Sequence, residues 1–320
     1  WSADRHGEIR RWNRESQPAP EIETRINVSK DSWAGTLNIS ADSSKIAIAD
    51  NTSRLTILDA DSLNTRWTKE GIGEVIYFGN KEILAYTEDH QLVMFSSSDG
   101  KRMGSLNPFD STNAIFAAVA SPNGRLLLIF SIDDEVVLWN LDSSQEIARF
   151  SADPLGRSLQ EFLSVALTDN GQVITTDIRQ KLMLWDAVDG SIKRVVDVPD
   201  QPSRSDLSPR NDLIAIATSN GPPSIRSVPS LETVLTIDGG RRNGVDYAFH
   251  PTEPKLVTQF VRGSLNFVSL KSGLRGPPLE FNVKTKGFGQ GAQVSEIKFS
   301  PNGKILVTMD LSGNIRVWRR

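Results

Sequence analysis

The sequence predicts an all-β protein made of repeated four-stranded antiparallel units, and three observations predict it. A proline-anchored lead-in recurs at a fixed distance from an aromatic strand end. A small polar residue recurs eight positions before nearly every such end. The apolar residues between alternate with a period of two, and helical periodicity is absent.

The clearest lead-ins are Ser121-Pro122-Asn123-Gly124 and Ser300-Pro301-Asn302-Gly303. Each precedes an apolar run, a polar turn and a strand carrying tryptophan: Glu135-Val136-Val137-Leu138-Trp139-Asn140 and Asn314-Ile315-Arg316-Val317-Trp318-Arg319. Pro122 to Trp139 is 17 positions, and Pro301 to Trp318 is 17 again. Ala41 to Leu58, Thr168 to Trp185 and Pro251 to Val268 keep that step; Gly79 to Phe95 is one shorter and Pro209 to Val228 two longer. The first tryptophan strand, Ile9-Arg10-Arg11-Trp12, has no lead-in because the chain begins inside its unit. Eight units therefore end near Trp12, Leu58, Phe95, Trp139, Trp185, Val228, Val268 and Trp318, at spacings of 37 to 50 residues. That is in and around the period of β-propeller blades.

Eight residues before those ends stand Asp4, Asp50, Thr87, Ser131, Asp177, Asn220, Phe260 and Asp310. Seven of these are small polar residues, of the kind that fold back onto a turn backbone in a hairpin between the second and third strands. Strand character is plain where Val245, Tyr247 and Phe249 alternate with Asp246 and Ala248, and where Ile297 and Phe299 alternate with Glu296 and Lys298. The run Leu126-Leu127-Leu128-Ile129-Phe130 has two apolar faces, as a blade packed between two others requires.

The Ser-Pro-Asn-Gly lead-in, the turn aspartate and the Ile-Arg-Val-Trp ending resemble WD40 repeats. The resemblance runs the length of the chain, strongest in the units of Trp12, Trp139, Trp185 and Trp318. It implies a propeller used as a scaffold or for ligand recognition. The Gly-His pair expected of the family before each first strand is missing, and the Trp-Asp ending is intact only at Trp185-Asp186. Blades held mainly by apolar packing are expected.

Residues 1–320 read as one propeller domain, since no linker divides them. Units two to seven hold four strands each, labelled a to d. The last unit supplies a, b and c. The first supplies the end of b, then c, and a strand d near Glu21–Val28. A ring closes best when both termini share a blade, because an open ring leaves sheet edges unpaired. Seven blades are expected, with the strand around Trp12 surplus, as in a piece cut from a longer repeat array; an eight-unit ring with two incomplete blades is the rival.

The composition narrows the function. A net charge of −3 provides no general attraction to nucleic acid, and no basic stripe with interleaved aromatics appears. No apolar run is long enough to span a bilayer. The absence of cysteine excludes disulfides, thiolate metal sites and cysteine nucleophiles. Of three histidines, His250 stands where the lead-ins have serine, and His6 and His90 fall in turns of units that are not adjacent. No metal site, cofactor or catalytic set is expected. Gly287-Phe288-Gly289-Gln290-Gly291 is followed by a strand and not a helix, so it reads as a connecting loop and not a phosphate cradle.

What remains is surface. Strands alternate in direction, so the b–c turns and the d–a connections share one face, and binding residues concentrate on loops held by a rigid scaffold. That face is expected to carry an acidic sector, Glu88, Asp89, Asp133, Asp134 and Glu135. Across the ring it is expected to carry a basic sector of Arg157, Arg179, Lys181, Arg241, Arg242 and Lys286, with Phe288 as an aromatic anchor or a filler of the channel rim. The expected function is a non-catalytic interaction module, monomeric within a larger protein, that binds a peptide or protein partner. A channel-based enzyme or small-molecule binder, and a spacer for a neighbouring effector domain, are the alternatives.

Overall fold

Seven clusters of buried apolar side chains alternate with seven four-stranded sheets around a closed ring. The computed structural model describes residues 2–3, 9–10, 21–27, 34–109, 114–152, 158–219, 221–237, 247–261, 264–280, 294–310 and 313–319. Blade 1 is Ala34–Ile39, Lys45–Asp50, Arg54–Asp59 and Thr65–Glu70; blade 2 is Ile72–Phe78, Glu82–Thr87, Leu92–Ser96 and Arg102–Leu106. Blade 3 is Ile115–Ala120, Leu126–Ser131, Glu135–Asn140 and Gln145–Ser151; blade 4 is Phe162–Leu167, Gln172–Asp177, Lys181–Asp186 and Ile192–Asp197. Blade 5 is Pro202–Leu207, Leu213–Thr218, Ser224–Ser227 and Thr233–Thr236; blade 6 is Tyr247–Phe249, Lys255–Val261, Ser264–Ser269 and Arg275–Glu280. In each the strands lie in chain order, a to d, and pair antiparallel.

Blade 7 closes the ring from both ends of the chain. Its strands a to c are Val294–Phe299, Ile305–Asp310 and Asn314–Arg319, and its strand d is Glu21–Asn27. The register runs from Glu21 opposite Arg319 to Asn27 opposite Asn314. Arg319 also donates to the Ala60 carbonyl at 2.7 Å and meets the Asp61 carboxylate at 3.1 Å, joining blade 7 to blade 1. The seven-bladed expectation therefore holds. The surplus unit, Ser2–Ala3 paired with Ile9–Arg10, is a separate two-stranded sheet; Asp4, His6 and Trp12 lie outside the described residues.

The doubly apolar strands follow from the ring. In strand b of blade 3, Leu127 and Ile129 pack towards blade 2, while Leu128 and Phe130 pack towards blade 4. Strand c does the same with Val137 on one side and Val136 and Leu138 on the other. Each such side chain removed from water contributes about 1.5–3 kcal/mol.

The recurrent polar residues hold the turns. In the a–b turns the Ser40, Ser121, Thr168, Ser208 and Ser300 hydroxyls accept the N–H that opens strand b at 2.8–3.1 Å. His250 takes the same place with Nδ1, which accepts from the Glu253 N–H at 3.0 Å. In the b–c turns the side chains of Asp50, Thr87, Ser131, Asp177 and Asp310 accept the N–H four residues on, at 2.8–3.2 Å. Gly124 of the lead-in sits at φ +70°, and a Cβ there would lie 2.2 Å from the Tyr77 ring.

Two details depart from expectation. In blade 5, Ile214 pairs with Arg226, as Val173 pairs with Trp185 in blade 4, so Arg226 and not Val228 holds the tryptophan place. Pro209 to Arg226 restores the 17-residue step, which a search for apolar ends misses. Arg226 is buried and donates to the Leu231 carbonyl at 3.1 Å. Polar links also supplement apolar packing: Trp185 Nε1 donates to Thr175 Oγ1 at 3.2 Å, and buried Arg316 meets buried Asp310 at 2.9 Å.

Candidate functional site

The exposed chemistry of the ring gathers on one loop face and in the central channel. Backbone hydrogen bonds build the face in blades 2 to 5 by joining the b–c turn to the connection that enters the same blade. Glu88 N–H donates to Gly71 O at 3.1 Å, Ile132 to Ala114 at 3.0 Å, Ile178 to Glu161 at 3.0 Å and Ser219 to Gln201 at 2.8 Å.

Glu88, Asp89 and Asp133 are exposed on this face in blades 2 and 3, and among the described residues none has an ion-pair partner. Their neighbours are engaged within the ring. Asp134, at φ +60°, accepts from Ser158 Oγ at 3.0 Å and from the Leu159 N–H at 2.9 Å, which fastens the entry to blade 4. Glu135 faces Arg149 at 3.5 Å. On the basic side Arg179 meets Glu161 at 2.9 Å and Lys181 pairs with Asp197. The charge that projects into solvent is thus narrower than the sequence pattern. Arg157, Arg241, Arg242, Lys286 and Phe288 lie outside the described residues.

The face also carries four large apolar side chains. Phe116 and Leu163 stand where strands a of blades 3 and 4 slip register against strand b, and Ile132 and Ile178 follow the turn residues Ser131 and Asp177. Their exposures are 43%, 39%, 44% and 52%.

The channel is lined by the a strands and encloses about 560 Å³. Strand a turns alternate residues inwards, so Glu296 and Lys298 leave the Ile297 side and meet groups from across the ring. Arg204 of blade 5 forms an ion pair with Glu296 of blade 7 and donates to the Ser295 carbonyl at 3.2 Å. Burial holds the Asp206 carboxyl above its ordinary range, against the pull of Lys298 and Arg204 and the hydrogen bond from the Phe249 N–H. Glu74 is raised by desolvation and then by Glu296, with Arg204 and Lys298 opposing; it stays open to channel water. Ser205 donates to Ser164 at 2.9 Å, and Ser164 lies 2.6 Å from Thr176, which links blades 4 and 5.

Sequence reasoning passed over both the channel set and the apolar four. The signal for the first was the polar alternation at Glu296 and Lys298. The signal for the second was a bulky residue at a place other units fill with glycine or serine, visible only once the register is known. Among the described residues, no group of three His, Asp or Glu side chains is placed to hold a metal ion, and no helix is long and apolar enough to cross a membrane.

A family profile described as WD domain, G-beta repeat matches residues 283–319, the last repeat of the chain. No curated protein matches the sequence.

Proposed function

We propose that this chain, a β-propeller of the WD40 repeat family, binds a peptide or protein partner on the face formed by its b–c turns and d–a connections. Propellers of this family are typically protein-interaction scaffolds and usually non-catalytic. The observation that carries the proposal is the set of solvent-directed carboxylates, Glu88, Asp89 and Asp133, held on short turns of a rigid ring with no partner among the described residues. Such groups steer association and select partners. Arg179, and by sequence Arg157, Arg241 and Arg242 with Phe288, complete the proposed face; Asp134 and Glu135 support it from within.

The test is affinity capture with the intact protein from lysate of its native source, read by mass spectrometry, alongside E88K/D89K and R241E/R242E. A protein recovered by the wild type and lost with either reversal supports the module and assigns its sector. Recovery by all three keeps the module and removes these residues from its site. No recovered protein counts against the module. A small polar molecule in the channel is the second reading, favoured by the Arg204–Glu296 pair and Asp206 on the wall of the 560 Å³ cavity.

A further inference from the structure

The repeats provide an internal control for the apolar residues of the loop face. The register slip between strands a and b singles out one residue per blade: Gly35, Gly73, Phe116, Leu163, Ser203 and Ser295 in blades 1 to 5 and 7. The fold accepts glycine or serine there in four blades of these six, so it does not require the phenylalanine and leucine of blades 3 and 4. The residue after the turn polar group behaves alike. It is Asn51, Glu88 and Ser219 in blades 1, 2 and 5, but Ile132 and Ile178 in blades 3 and 4. Two repeat positions thus turn bulky and apolar together, on adjoining blades of one face, with about half of each side chain left in water. The other exposed apolar side chains lie elsewhere. Met103, Ile147, Ile192, Val195 and Val234 are on the outer d strands of blades 2 to 5. Val188 and Leu274 are in the c–d turns of blades 4 and 6, at the opposite end of the strands from the b–c turns. Singly placed apolar residues are ordinary on a surface; a grouped set marks an interaction site.

We infer that Phe116, Ile132, Leu163 and Ile178 form the anchoring surface for a protein segment that presents bulky apolar side chains flanked by lysine or arginine. The basic flank follows from charge complementarity. Glu88, Asp89 and Asp133, exposed and without ion-pair partners among the described residues, lie on blades 2 and 3 beside the patch, while Arg179 is matched by Glu161. A second copy of this chain would set the same acidic rim against itself, and like charges so placed disfavour contact. The inference rests on the loop-face module proposed above and names its site and the chemistry of its partner.

The test exposes the purified full chain to a displayed library of random 16-residue peptides and measures the affinity of recovered peptides by fluorescence anisotropy. The variants are F116S/L163S, which copies blades 5 and 7 at the slip position, and I132N/I178S, which copies blades 1 and 5 at the turn. Both fold, because the side chains are 39–52% exposed and the replacements are those other blades carry, and thermal unfolding checks that each variant is folded at the assay temperature. The expected result is enrichment of apolar–basic peptides whose binding weakens about tenfold or more in each variant, as for anchor residues of an interface. E88K/D89K weakens the same peptides less and makes the residual binding less sensitive to salt. Peptides with acidic flanks, or binding unchanged in F116S/L163S, overturn the inference and leave the module standing. A library that yields no binder overturns it too, while the lysate capture decides the module separately. A wild-type dimer in sedimentation that F116S/L163S dissociates overturns it in favour of self-association.

Discussion

Blades 3 and 4 both carry a tryptophan near the end of strand c, yet the two indoles live in different surroundings. Trp185 is fully buried, its Nε1 donates to Thr175, and its ring meets Phe150 edge-on at 6.1 Å. Trp139 is half-buried, and its Nε1, shut off from solvent, has no hydrogen-bond partner among the described residues. The cause lies ten positions back, where blade 4 has Thr175 and blade 3 has Ile129. Blade 7 follows blade 4, with Trp318 Nε1 on Thr308 at 3.4 Å. The same motif residue is therefore a satisfied core group where the facing strand offers a hydroxyl, and a compromised one where it does not.

The largest test of this contrast is truncation. Trp185→Ala should cost about 3–5 kcal/mol in urea unfolding, and Trp139→Ala distinctly less, since its ring is only partly buried at the edge of the core and its Nε1 lacks a partner among the described residues. Equal losses would break the comparison. Next comes Thr175→Val, which keeps the shape but strips the acceptor from a buried indole N–H. It should cost about 1–3 kcal/mol, whereas Ile129→Val should cost about 0.5–1.5 kcal/mol and leave the Trp139 environment unchanged by near-ultraviolet circular dichroism.

The smallest effect separates the blade interiors from the channel. Asp206 and the water-exposed Glu74 both titrate above the ordinary carboxylate range in the folded ring, chiefly through desolvation. A raised folded pKa means the folded state binds the proton more tightly. Its stabilising contribution is full below the ordinary range and is lost as pH rises through the raised value. Lowering the pH from 7 to 5 should therefore stabilise the wild type slightly, by under about 1 kcal/mol given screening by channel water. E74Q/D206N should flatten that slope. Asp59, lowered to about 2 by the Ser62 N–H and then Arg66, stays ionised over that interval and adds no slope. A slope unchanged in E74Q/D206N would place its origin elsewhere than the channel.

Several features were legible along the chain because they are local. The lead-in serines and the turn residues Asp50, Asp177 and Asp310 act on backbone two to five residues away, so their spacing alone announces the hairpins. The doubled apolar run at 126–130 announced a blade between two neighbours. The incomplete end units announced the closure that Glu21–Asn27 and Asn314–Arg319 make. Arg226 was not legible, because its role follows from pairing with Ile214 and not from its own character.

The sequence by itself determined the repeat, the strand order within a unit and the turn chemistry, since each follows from periodicity and contacts near in the chain. It favoured seven blades over an eight-unit ring, and the pairing of Glu21–Asn27 with Asn314–Arg319 decided between them. Only the tertiary structure decided which turn charges are spent inside the ring. It matched Glu135 with Arg149 and Arg179 with Glu161, and tied Asp134 to Ser158 and Leu159. It alone brought Arg204 to Glu296 across the channel and set Phe116 and Leu163 at equivalent places on adjoining blades. Those relations join residues far apart in the chain, and they exist only once register and ring closure bring the blades together.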